Sequence, residues 1–286
     1  MRKLLFAGLA FFVSCKSTES INRFAKSAGS AIVEINRSTP GFNDLCRIYD
    51  PVALSRQTDT SLYGKAVHPA IRCGEYKQAD SLTGLINQTL ANYFSMLQAV
   101  SDKKLIAYNA RDLVNSVADM QIAVYPMLSL NDEKISAVKG ILNTILNEPL
   151  KWYRYNKLVA TMRETDTALA RVMTAYSFIL DSALAGEINQ ARQNYTSFVY
   201  APLYEWSRTP VEKWIVNQQY NQFLLTMDEE QIKIHKAVIL LRTIQKDHRL
   251  MAFGKPASSF ADTEAEITRD ILLINKLITE LIQSIK

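Results

Sequence analysis

The sequence predicts an all-α protein, an elongated bundle of five to seven helices, several of them long. Three observations carry that expectation. Apolar residues recur at steps of three and four over most of the chain. No convincing two-residue alternation survives. Glycine is scarce, nine in 286 residues. The exception is an irregular segment near residues 42–79, where Pro51, Gly64, Pro69 and Gly74 punctuate a polar stretch.

Each helix has its own warrant. Over 18–37, Ile21, Phe24, Ala25, Ala28, Ile32 and Ile35 form one apolar stripe, and Thr39-Pro40-Gly41 ends it. From Ser81 onward, Leu82, Leu85, Ile86, Leu90, Tyr93, Phe94 and Leu97 make a second stripe. A third holds Leu113, Val114, Val117 and Met120, and stops at Pro126. Asn131 caps a fourth, with Ile135, Val138, Ile141 and Ile145 on its inner face. Pro149 fits the first turn of a long helix that meets no Gly or Pro until Gly186. A short helix then leads to Pro202. Thr209-Pro210-Val211-Glu212 combines a capping box with Pro at the first helical position, and starts a helix to about Leu250. Gly254 and Pro256 break that one. The last helix starts near Asp262, with Thr263 and Glu266 as an alternative capping box. Its seam of Ile267, Ile271, Ile274, Ile278, Leu281 and Ile285 steps by four and three.

The N-terminus has a different character. Arg2 and Lys3 precede an uncharged run, Leu4 to Val13, and Ser14 and Cys15 follow. A ten-residue helix covers about 15 Å, half of a bilayer's hydrocarbon core, which suits a secretory signal rather than a span. Phe12-Val13-Ser14-Cys15 resembles the lipobox of bacterial lipoproteins, with Phe12 standing where Leu is usual. The resemblance covers residues 1–15. It implies cleavage before Cys15, acylation of Cys15, and a membrane attachment through that lipid. Residues 1–14 would then be the signal peptide and 15–286 one helical-bundle domain. Lys16 replaces the Asp that retains many such lipoproteins in the inner membrane, so the resemblance implies the outer membrane of a bacterial envelope, on its periplasmic or surface side.

Composition and motifs exclude several classes. The formal charge is +5, and Lys and Arg interleave with Asp and Glu instead of forming a basic stripe, so no nucleic acid is expected as a partner. There is no G-x-G pair and no phosphate-binding loop. His68, His235 and His248 lie far apart and in no metal-binding motif, so neither a metal nor another cofactor is expected. With Cys15 assigned to lipid, Cys46 and Cys73 read as a disulfide across the irregular segment, rather than as two buried thiols.

Two features suit a protein partner. The stapled loop displays Arg56, Tyr63 and Lys65, with an inert loop covering a helix end as its plainer reading, and the Pro202–Pro210 region displays Tyr200, Tyr204 and Trp206, with core packing as the plainer reading there. A third mixture, Lys151-Trp152-Tyr153-Arg154-Tyr155, fits packing at a bundle end. The expectation is a non-enzymatic, lipid-anchored scaffolding or protein-binding lipoprotein of the envelope. The alternatives are a membrane-active helical protein and an all-α envelope hydrolase. Arg269, Asp270, Lys276 and Glu280 in the last helix disfavour its spanning a bilayer.

Overall fold

A computed structural model of the chain describes residues 2–48, 73–101, 155–254 and 260–284. These residues form an all-α bundle, with no strand among them. The helices are α1 (Arg2–Ser38), α2 (Phe42–Ile48), α3 (Cys73–Ser101), α4 (Tyr155–Phe178), α5 (Ala185–Tyr195), α6 (Ala201–Trp206), α7 (Pro210–Phe253) and α8 (Phe260–Gln283). Two π-helical turns, Ile179–Leu184 and Thr196–Tyr200, join α4, α5 and α6 into one rod. The helices expected over 113–120 and 135–146, the Lys151–Tyr153 cluster and most of the irregular segment expected between Cys46 and Cys73 lie outside the described residues.

The stripes read from the sequence are the faces that meet. α1 packs on α3 and α8, and α4 packs on α7. Phe24 and Ile32 of α1, Leu90 and Phe94 of α3, Met173 and Tyr176 of α4, Leu241 of α7 and Ile274 of α8 share one buried cluster. Each such large side chain contributes about 1.5–3 kcal/mol by leaving water. Phe24 and Phe94 meet edge to face at 5.8 Å.

The bundle has two poles. At one, Ser20 Oγ of α1 donates to Glu264 of α8, Asn22 donates to the Gln98 carbonyl of α3, and Arg163 of α4 donates to the Ala252 carbonyl of α7. At the other, α1 ends at Ser38, and the Phe42 and Asn43 amides donate to the two oxygens of Asp80, at 2.7 and 3.1 Å. These poles are called the Ser20 pole and the Ser38 pole below.

Five expected boundaries move. The irregular segment placed at 42–79 is helical over Phe42–Ile48 and from Cys73. Asp80 supplies the acceptor for the amides that open α2, a cap that comes from 37 and 38 residues downstream and so escapes local reading. Gly186 does not end a helix. It sits on the exposed side of α5, where its cost of about 1 kcal/mol is outweighed by burial of Leu184, Ile188 and Ala191. Pro202 does not break the chain either. It enters the first turn of α6 directly after a π-helical turn, where the regular bond to the carbonyl four residues back is already reorganised. The first helix reaches back to Arg2, and the last begins at Phe260 instead of Asp262. The start and stop of α7 follow expectation. Thr209 and Glu212 make the full capping box, and Gly254, at φ 71°, closes the helix with its amide on the Leu250 carbonyl.

Candidate functional site

The α5–α7 hairpin builds the most distinctive surface. α7 is 44 residues long, about 66 Å, whereas α1 from Ser20 to Ser38 covers about 27 Å. The first buried residue of α7 is Met227, so Pro210–Thr226 projects past the core together with α6. A ladder of rings holds the projection together. Tyr195 stacks on Phe223 and Tyr200 on Tyr220, each with centroids 4.0 Å apart. Tyr200 Oη donates to Asn217 Oδ1, the Tyr220 hydroxyl meets Thr196, and Lys213 lies over the Tyr204 ring at 5.0 Å. Arg192 pairs with Asp228 at the base.

Two of the aromatic residues singled out in the sequence therefore have a packing role. Tyr200 and Tyr204 are half-buried between the two arms. Trp206 is exposed at the hairpin end, where Leu203, Val211, Trp214 and Ile215 are exposed as well. The cluster is apolar with near-balanced charge, since Arg208 and Lys213 stand against Glu205 and Glu212.

The two cysteines lie at the same pole as this hairpin. Cys46 of α2 and Cys73 of α3 are joined with Cα atoms 5.6 Å apart. Beside them Phe42 stacks on Tyr76, and Tyr76 Oη donates to Glu187 of α5. The described residues that flank 49–72 are thus fixed next to the base of the hairpin. Arg56, Tyr63 and Lys65 themselves lie outside the described residues. Cys15 falls in α1 five residues before Ser20, on the opposite side of the bundle. Tyr200, Tyr204 and Trp206, picked out for partner binding, and the residue picked out for lipidation therefore belong to opposite poles.

A buried polar chain, invisible in the sequence, links three helices. His248 Nδ1 of α7 lies 3.0 Å from Asp166 Oδ1 of α4, and His248 Nε2 lies 2.6 Å from the Tyr93 hydroxyl of α3. Tyr93 also meets Thr165 at 2.8 Å. One proton arrangement satisfies every group. Nδ1–H donates to the carboxylate, the tyrosine donates to bare Nε2, and Thr165 donates to the tyrosine oxygen. Burial holds the His248 pKa below its ordinary value and the Tyr93 hydroxyl well above its own. The order Asp–His–hydroxyl is that of a nucleophile relay, but here the hydroxyl is fully buried and already bonded on both sides. Its chemistry is that of a lock fixing α3, α4 and α7 in register.

Asp247, next in sequence, is also fully buried, and neither of its oxygens has a hydrogen bond in the standard geometry among the described residues. Burial first, and the Asp270 carboxylate second, push its pKa up to about 8. Lys246 bridges Asp270 and Glu266 at 2.7 and 2.8 Å, which ties α7 to α8 around it. No group of three or more His, Cys, Asp or Glu with a metal-holding arrangement occurs among the described residues. One stretch, Leu158–Tyr195, is long and apolar enough to cross a membrane by length and composition, and it is the rod whose Met162, Leu169, Tyr176 and Leu180 are buried in the bundle. Compared with family models, curated proteins and solved structures, the chain finds no match in any of the three.

Proposed function

We propose that this chain is a lipid-anchored envelope protein that presents the α5–α7 hairpin to a protein partner, away from the membrane that holds it. One observation carries the reading. The exposed apolar end of the hairpin and the Cys46–Cys73 staple share the Ser38 pole, while Cys15 lies beyond the Ser20 pole. A tether at Cys15 leaves the far pole facing outward, with the length of α7 as the spacer. Exposed Trp206 and Trp214 beside Arg208 and Lys213 are side chains of the kinds that interfaces favour. The staple lowers the entropy the 49–72 loop loses on binding, so Arg56, Tyr63 and Lys65 can add to the same surface.

The test uses two sets of substitutions in the anchored protein. Leu203→Ser with Trp214→Ser should remove cross-linking to the partner captured by the wild type, with helical content and membrane fractionation unchanged. Replacing Arg56, Tyr63 and Lys65 together by Ala should weaken capture without abolishing it. Undiminished capture by both folded variants would refute docking at this pole.

A further inference from the structure

Phe253 is the last residue of α7, at the Ser20 pole, and it is 55% exposed. A single exposed apolar side chain is ordinary on a protein surface. Phe253 differs by its place. Among the described residues it is the only large apolar side chain exposed at this pole. Arg249, one turn earlier, and Arg163, which donates to the Ala252 carbonyl, are exposed beside it. Glu19 and Asp262 are exposed at the same end, so the rim around the aromatic ring is close to neutral. Attraction to an acidic partner therefore does not account for it.

The register between helices puts Phe253 near the level of Cys15. Lys236 pairs with Glu280 and Lys246 with Asp270, which sets α8 antiparallel to α7. Phe253, seven residues past Lys246, then comes level with Thr263 of α8. Ser20 of α1 meets Glu264, so the same level on α1 is Glu19. Cys15 lies four residues further out. That is about 6 Å along a helix, and about 14 Å at most along an extended chain. α1 and α7 are also in contact within the bundle.

We propose that the Ser20 pole rests on the lipid surface, with the Phe253 ring in the headgroup layer of the leaflet that takes the acyl chains of Cys15. This rests on the reading of Cys15 as the anchor, and adds a second contact to it. A tether so short holds the pole against the bilayer. The headgroup layer is roughly 5–7 Å deep on each side of the hydrocarbon core, so a ring about 6 Å out from Cys15 reaches it. Proteins that lie on a bilayer bury Phe at this depth. A near-neutral rim lets the ring enter without stranding a charge cluster of one sign at the surface. Two contacts, on α1 and on α7, restrain the tilt of the bundle. α7 then stands up from the membrane and carries its far end outward.

A photoreactive amino acid in place of Phe253 tests the contact in the full-length protein in its own membrane. The site is exposed, so circular dichroism should be unchanged. The expected result is an adduct with phospholipid. The same group at Val33, 58% exposed on α1 and about 27 Å from Cys15 along that helix, should give none. No lipid adduct at Phe253, in protein that is acylated at Cys15, overturns the contact and leaves the anchor standing. Equal lipid labelling at Phe253 and Val33 overturns it as well, because the bundle would then lie along the membrane. An adduct of Phe253 with polypeptide alone gives the ring to a protein and overturns it too. Fatty-acid labelling of Cys15→Ser equal to wild type overturns the anchor reading itself, and the proposal with it.

Discussion

Asp166 and His248, 82 residues apart, meet inside the bundle with carboxylate and ring nitrogen 3.0 Å apart, and Tyr93 completes the line on the far nitrogen. Three helices that the sequence presents as separate stripes are held at one level by that line. Removing a partner leaves a buried acceptor without its donor, which costs more than the bond itself gained. Tyr93→Phe should therefore lower stability by about 1–3 kcal/mol in a urea titration, with the fold kept. Thr165 still has the Thr161 carbonyl to bond, so the loss falls on His248 Nε2. A variant as stable as the wild type would remove the lock from the account.

Asp247 gives the stability a pH dependence of defined sign. Its folded pKa is raised to about 8 by burial and by Asp270, so the folded state holds a proton that the unfolded state releases near pH 4. The stabilisation is complete below about pH 4 and is lost as pH rises through about 8. His248 acts in the other direction. Its lowered pKa means the folded state refuses a proton, so stability falls as pH drops through the ordinary histidine range. Asp247→Asn should remove the alkaline loss, keep the acid loss, and add about 1–3 kcal/mol at pH 8. Denaturant midpoints between pH 4 and 9 read both slopes. An unchanged alkaline slope in the variant would contradict the assignment.

The Cys46–Cys73 bridge should matter locally. It closes 26 intervening residues, worth roughly 3.5 kcal/mol by chain entropy. Cys73→Ala should cost no more than that. Hydrogen exchange should rise around α2 and the start of α3, and stay unchanged in the α4–α7 core. Uniform acceleration across the bundle would show that the staple supports the whole fold.

Cys15→Ser should abolish fatty-acid labelling and move the protein out of the membrane fraction. The motivation is the Phe12-Val13-Ser14-Cys15 pattern behind a short apolar run. Equal metabolic labelling of wild type and variant would contradict lipid attachment at this position.

The fold was legible where apolar spacing reports burial. Phe24, Ile32, Leu90, Phe94 and Ile274 fall on inner faces by spacing alone, and all are buried. Thr209-Pro210-Val211-Glu212 was legible because a cap is made by neighbours in sequence. Asp80 capping α2, and Pro202 following a π-helical turn, were not, because each depends on groups that the fold brings together or on a local change of helix type. The same holds for Asp166, His248 and Tyr93, whose separations of 82 and 155 residues leave no spacing to read.

The central claim is that the hairpin meets protein while Cys15 holds the membrane. A photoreactive amino acid at Trp214 in the anchored, full-length protein tests it most directly, with the acyl chain labelled in the same cells. The account predicts an adduct with polypeptide and none with lipid. Labelling of lipid at Trp214 in a correctly fractionated protein, with no polypeptide adduct, would contradict it.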